Sequence, residues 1–236
     1  MLISHSLRVN VLVIIAHPDD PEFFAGGAIA RWRHEGHDVR YVVVTGGDKG
    51  SDQPDMTPAR LVALRRDEQR HAAAILGVQE ITFLSHVDGE LLNTLDVQRD
   101  LVREIRRARP DVVVTTDPQT LHYGAMRINH NDHRAVGLAV CDAIFPASGN
   151  RMYFPELLAD GFEPHSPGEI YFAGPVQPNT LVDVTDFIAA KIEAICAHAS
   201  QVKEPDKIET RIRQGLLRMT ADGRVFYAEA FRRILL

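Results

Sequence analysis

The chain has 236 residues, 45% of them hydrophobic and 25% charged, with a formal net charge of −6. This is enough apolar material for one large domain or two small ones with a real core. The acidic balance argues against nucleic acid as the main partner, because phosphate binding needs a basic footprint, and no apolar run approaches the roughly 20 residues that span a bilayer. Met1 to Asn10 lack the basic start and apolar core of a secretory leader, so the expectation is a soluble, cytoplasmic protein without membrane insertion.

Strand and helix signals alternate from the start. Val9–Ala16 is a continuous Val- and Ile-rich run, the mark of a strand buried on both faces. Gly26 and Gly27 open a helix, Ala28 to Glu35, which Gly36 closes. Asp38–Thr45 reads as a second strand. Thr57 and Pro58 then form a cap followed by a first-turn proline, and the helix they start runs to Leu76 and stops at Gly77. Glu80–Ser85 is a third strand, Asp96–Ala108 a helix ended before Pro110, and Asp111–Thr116 a fourth strand. His133–Phe145 reads as helical. Glu169 to Leu236 carries one or two further strands and two helices, with Phe226–Leu236 open between the two states. Repeated strand–helix units predict an α/β fold, a Rossmann-like, mainly parallel sheet flanked by helices. No linker or repeat divides the chain, so residues 1–236 are expected to form a single domain.

Three long loops interrupt this pattern: Gly46–Met56, Asp117–Asp132 and Pro146–Gly168. Loops of that length in a compact domain are often binding loops, and all three are expected on one rim of the sheet. Arg103, Arg106, Arg107 and Arg109 have helical spacing and read as a solvated face. Cys141 and Cys196 are the only cysteines; they read as buried free thiols, and without a CxxC pair any metal must use His and carboxylate ligands. Trp32 reads as core or interface, and His5, His34, His37 and His165 as surface histidines.

The chemistry concentrates at one strand end. His17, Pro18, Asp19, Asp20, Pro21 and Glu22 follow the first strand directly, at the kind of position where open α/β proteins hold their ligands. Adjacent carboxylates repel and resist burial unless something positive lies between them, and a divalent metal is the simplest candidate. His17 and Asp20 are spaced so that both can face one ion, leaving Asp19 free to hold a water. Helix capping alone would explain one aspartate, but not the whole cluster. His130, Asn131, Asp132 and His133 follow the fourth strand and should face the same rim. Together the clusters offer His, Asp and His, a set that leaves an open, catalytic position on zinc. Imidazole and carboxylate also accept iron, cobalt or nickel.

The segment His-Pro-Asp-Asp-Pro-Glu after a strand, with a later His-Asn-Asp-His, resembles the PIG-L/LmbE-type zinc-dependent N-deacetylases, which remove acetyl groups from N-acetylglucosamine units. The likeness spans nearly the whole chain. Arg65-Arg66-Asp67-Glu68 fits the second helix, Asp88-Gly89 the turn after the third strand, and Asp183-Val184-Thr185, Lys191 and His198-Ala199-Ser200-Gln201 the C-terminal portion. Asn131 stands where a proline is usual. The resemblance implies His17, Asp20 and His133 as zinc ligands and Asp19 as the general base. It implies His130 as the group that stabilises the oxyanion and protonates the leaving amine, and Asp132 as the residue that orients His130 and favours its charged form.

Softer candidates keep two readings each. Arg65 either contacts substrate or is a solvated helix arginine paired with Glu68. Asp88 either contacts a sugar hydroxyl or shapes a turn with Gly89. Glu22 either holds a ligand histidine from behind or favours a helix N-terminus. His122 and Tyr123 either close over substrate or form a surface loop, while His198 and Gln201 serve packing or support. The implied partner is a small N-acetylated sugar or conjugate, with homo-oligomers possible. Competing readings are a metal-free nucleotide-binding module and a metal-dependent hydrolase of another ester or amide, phosphoesters included. The carboxylates after the first strand would repel a pyrophosphate, which disfavours the nucleotide module.

Overall fold

The structure is a computed structural model that describes residues 8–125 and 127–236. β1 (Asn10–Ile15), α1 (Asp20–His34), β2 (Asp38–Thr45), α2 (Pro58–Ile75), β3 (Ile81–His86), α3 (Leu95–Ala108) and β4 (Val112–Thr116) follow in strict alternation. A short hairpin, β5 (His122–Tyr123) and β6 (Arg127–Ile128), then precedes α4 (Asn131–Asp142) and the single turn α5 (Glu156–Ala159). The chain continues through β7 (Glu169–Ala173), β8 (Thr180–Asp183), α6 (Ile188–Cys196), α7 (Pro205–Leu216), β9 (Leu217–Met219) and β10 (Val225–Leu235).

The main sheet has the order β3-β2-β1-β4-β7-β10-β8. Its first five strands are parallel, while β10 runs antiparallel to both β7 and β8. The ambiguous Phe226–Leu236 segment is therefore a strand, held by partners on both sides. β1 is buried on both faces, as its unbroken apolar run requires. Val11, Val13 and Ile15 pack into one core with Ile29 and Trp32 of α1 and Ala72 of α2. Leu12, Ile14 and Ala16 pack into the other with Leu101 and Ile105 of α3 and Val136 and Val140 of α4. Connections leave β1 and β4 toward opposite sides, so their carboxyl ends flank the switch point where such sheets bind ligands.

Tertiary contacts overturn several sequence expectations. Helix α1 begins at Asp20, with Pro21 in its first turn, and not at the glycine pair. Gly26 and Gly27 lie mid-helix as a place of close approach: a Cβ on Gly27 would come within 2.7 Å of Val184, and one on Gly26 within 3.2 Å of Lys191. Through that gap the fully buried Lys191–Glu229 ion pair reaches the helix backbone. Lys191 donates to the carbonyls of Glu22 and Phe23 at 2.8 Å and to Glu229 at 2.7 Å. The carboxylate of Glu229 accepts from the amides of Gly27 and Ala28 at 3.0 and 2.8 Å.

Arg106 is not part of a solvated face. It is buried and donates to the carbonyls of Ser148, Ala147, Asn150 and Tyr153, pinning the segment that follows α4. The Pro146–Gly168 loop is not on the rim with the other two. It ends at the amino edge of the sheet, where Gly168 bonds to Asp111 and His165 to Pro110, because β7 is parallel to β4 and must be entered from that side. His37 is buried rather than exposed, and Trp32 packs in the core against Tyr171 and Phe231. Cys141 and Cys196 are free and half-buried. His5 lies outside the described residues.

Candidate active site

The turn after β1 carries His17, Asp19 and Asp20, and the loop after β4 brings His130, Asp132 and His133 over the same edge. His17 Nδ1 lies 3.2 Å from His133 Nε2 and 3.3 Å from Asp20 Oδ2, while His133 Nε2 lies 3.0 Å from Asp20 Oδ1. A tetrahedral ion with bonds of 2.0–2.1 Å would separate its donor atoms by roughly 3.3 Å. The two nitrogens and the Asp20 carboxylate thus stand at ligand spacing, and all three side chains are buried.

The far side of each donor supports this use. An amide oxygen can only accept, so Asn129 Oδ1, at 2.9 Å, takes the Nδ1 proton of His133 and leaves a lone pair on Nε2. The orientation of Asn129 is settled by its Nδ2, which donates to the Thr120 carbonyl at 2.8 Å. His17 Nε2 faces Asp132 Oδ2 at 3.1 Å and Asp88 Oδ1 at 3.2 Å, so in the neutral ring its proton lies there and Nδ1 carries the lone pair. Carboxylate–imidazole–metal arrangements of this kind orient ligands and raise their basicity. Burial works against charge at Asp20, yet His133 and His17 outweigh it and hold that carboxyl well below the usual range. Burial also opposes the proton on His17, but Asp132, Asp20 and Asp88 raise its affinity well above the ordinary imidazole value. Both shifts favour positive charge among these donors, whether a proton on His17 or a bound ion.

Asp132 and Asp88 both place a carboxylate oxygen on His17. Asp132 does not reach His130 with its carboxylate; Oδ1 is 4.0 Å from Nδ1. It holds His17 and accepts from the amides of Gly89 at 2.7 Å and Leu91 at 3.3 Å. Asp88 lines the cleft but spends its oxygens on His17 and on the Lys49 amide at 3.1 Å. Burial and the neighbouring imidazoles His17 and His133 lower the proton affinity of His130; Asp132 pulls the other way, favouring the charged form as expected, but is outweighed. Its Nδ1 accepts the Asp132 amide at 3.2 Å, capping α4. The remaining proton therefore lies on Nε2, a donor on the cleft wall.

Asp19 stands beside the three donors with φ 98° and ψ −28°, a left-handed conformation rare for a residue with a side chain. Burial pushes its carboxyl up to about 6, against the pull of Arg65 and with the push of Asp20. Arg65 is buried, donating to Asp19 Oδ2 at 3.2 Å, Pro18 O at 2.5 Å and Gly47 O at 3.1 Å. Glu68 is not its partner and instead accepts from Ser200. The loop after β2 is glycine-rich for this reason: a Cβ on Gly47 or Gly50 would come within 2.3 or 2.5 Å of Arg65 Nη1.

Glu22 has no hydrogen bond to the candidate ligand histidines, His17 and His133. It is buried behind the turn, accepting from Gln69 Nε2 at 2.9 Å and meeting His198 Nε2 at 3.2 Å. His122 is exposed, with Nδ1 2.7 Å from the Gly124 carbonyl, and its neighbour Tyr123 takes the cleft wall. The cleft has a volume of about 690 Å³; Phe23, Phe24, Ile128 and Ile212 supply apolar lining, with Arg127 and Arg211 beside them. Sequence reasoning missed Asn129, Gln69 and the α7 contribution of Arg211 and Ile212. Amides carry no charge signal in a sequence, and α7 reaches the cleft from far along the chain.

Comparison with known proteins agrees with this geometry. The family model described as PIG-L, GlcNAc-PI de-N-acetylase, matches residues 12–144, more than half the chain. A diacetylchitobiose deacetylase of Thermococcus kodakarensis is 34% identical over 195 residues, covering 83% of this chain and 71% of that protein. A probable N-acetyl-α-D-glucosaminyl L-malate deacetylase of Bacillus anthracis is 28% identical, covering 81% of each. Among solved structures, the N,N'-diacetylchitobiose deacetylase of Pyrococcus horikoshii superposes with a TM-score of 0.84 at 31% identity, covering 95% of this chain and 83% of that one. The sequence match, the sheet topology and the clustered His and Asp donors agree: the chain belongs to the PIG-L family of de-N-acetylases.

Proposed function

We propose that this protein is a metal-dependent hydrolase that removes the acetyl group from an N-acetylglucosamine-type sugar, and that zinc is its ion. One observation carries the reading: His17 Nδ1, Asp20 and His133 Nε2 converge at 3.0 to 3.3 Å on an open cleft, with Asp19 and His130 on its walls. Two imidazoles and one carboxylate with a free position suit zinc in its catalytic form. The chemistry such an ion supplies when bound is Lewis acidity toward an amide carbonyl and toward water.

The chain's own groups divide the remaining work. Asp19, fixed by Arg65 through Oδ2, accepts the proton of the attacking water. His130 presents Nε2–H to the oxygen on which negative charge develops, and Asp19 returns the proton it took from the water to the departing amine. The amide C–N bond breaks, giving acetate and the free amino sugar. Phe23, Phe24 and Ile212 give this cleft an apolar wall against which a substrate's apolar surface could pack.

The test is acetate release from N-acetylglucosamine and diacetylchitobiose by purified protein, with and without a chelator. Turnover should disappear on chelation and return with zinc. Asp19→Asn should lose at least a hundredfold in kcat while retaining metal. Turnover that persists after complete metal removal would overturn the reading.

A further inference from the structure

Asp19 sits in a backbone conformation that side chains disfavour, and its place is held from outside the metal cluster. Its amide donates to Gln69 Oε1 at 2.8 Å. An amide N–H can only donate, so the Gln69 oxygen must face Asp19 and its Nε2 must face away. That Nε2 donates to Glu22 Oε1 at 2.9 Å, and Glu22 Oε2 meets His198 Nε2 at 3.2 Å. Gln69, Glu22 and His198 are fully buried, and they come from α2, α1 and the segment after α6. Water cannot readily replace any of these bonds. Asp19 is thus gripped at two points: Arg65 takes carboxylate Oδ2, and Gln69 takes the backbone amide.

We infer that Gln69 is a positioning residue for the base, locked by Glu22 and His198, which holds Asp19 in its left-handed conformation so that the carboxylate faces the cleft. The inference rests on the deacetylase reading for its kinetic consequence, though not for its structural one. Asp20 begins α1 and needs helical geometry to present its carboxylate to the histidines. Asp19 must therefore turn sharply between strand and helix, and no glycine is available because the residue itself is needed. A side-chain amide supplies one acceptor and one donor at once, so it can grip the Asp19 amide and be held by a carboxylate behind it.

The experiment is a double-mutant cycle with Gln69→Met, which keeps the volume and removes both hydrogen bonds. Metal content and thermal unfolding are measured alongside. In the native background Q69M should lower kcat at least tenfold with KM changed less than threefold and metal still bound. In the Asp19→Asn background it should lower the residual rate less than twofold, because the residue it positions is already disabled. Equal losses in both backgrounds, or no loss in the native one, would overturn the inference. Wild-type protein that releases no acetate would sink the proposed function instead. In that event the inference is judged by crystal structures of metal-loaded wild type and Q69M. Asp19 should keep positive φ in the first and leave it in the second, and an unchanged Asp19 in Q69M would refute it.

Discussion

Asp19 and its neighbours show how much of this site depends on single hydrogen bonds. Burial drives its carboxyl up to about 6, and Arg65 is the main group pulling the other way. As the proposed base, Asp19 must be ionised to accept a proton, so turnover should fall as pH drops through about 6. Removing the cation with Arg65→Met should raise the Asp19 value further, moving the acid limb upward by roughly one unit or more. A pH–rate profile of both proteins checks the direction; an unshifted or lowered limb contradicts it. Asn129 is the second residue to try. Without its oxygen the tautomer of His133 is no longer fixed, and Asn129→Ala should weaken metal affinity about 10- to 100-fold, read by chelator competition. His17 and Asp20 could be picked out from the sequence because charge and spacing advertise them. Asn129 and Gln69 could not, since an amide becomes meaningful only when its partner is known.

At the scale of elements, α1 is the piece that ties the site to the rest of the sheet. Its amino end carries Asp20 and Glu22, and its middle is clasped by Lys191 and Glu229. Replacing Lys191 with Met leaves the Glu229 carboxylate buried without a counter-charge, and about 3–5 kcal/mol of stability should be lost. Gly27→Ala tests the close approach itself. Better helix propensity offers about 1 kcal/mol, but the new methyl group would lie within 2.7 Å of Val184. Overpacking of that kind costs about 1–3 kcal/mol, so the midpoint of thermal unfolding should fall by a few degrees. A rise would show that Val184 yields easily. The glycine pair was visible in the sequence and its meaning was not. Read locally, Gly-Gly marks a helix boundary; in the fold it marks the place where a buried ion pair meets the helix backbone.

Across the whole molecule, the two clusters lie 116 positions apart and meet because β1 and β4 are adjacent parallel strands. An ion that binds only the folded arrangement must stabilise it, by about 2.7 kcal/mol at a hundredfold excess over Kd. The sign of its pH dependence follows from His17. That imidazole holds its proton more tightly than usual because of Asp132, Asp20 and Asp88, and it must be neutral to bind metal. Metal affinity should therefore fall as pH drops through and below that raised range, and the zinc-induced rise in unfolding temperature should be larger at pH 8 than at pH 6. A rise independent of pH would place the ion elsewhere. Among the described residues no helix is long and apolar enough to cross a membrane.

The alternating apolar runs determined the strands and the parallel, helix-flanked sheet, because burial on both faces leaves a pattern that any window of the chain displays. The candidate donor cluster was legible for a related reason: titratable side chains crowded at a strand end are expensive unless they are used. Which oxygen faces which nitrogen was settled only in three dimensions. Asp132 turns to His17 rather than His130, Glu22 turns to Gln69 and His198 rather than a ligand, and Arg106 turns inward to four carbonyls. A buried polar group must bond to whatever the packing brings within about 3 Å. Such partners come from distant segments, so tertiary structure alone decides them.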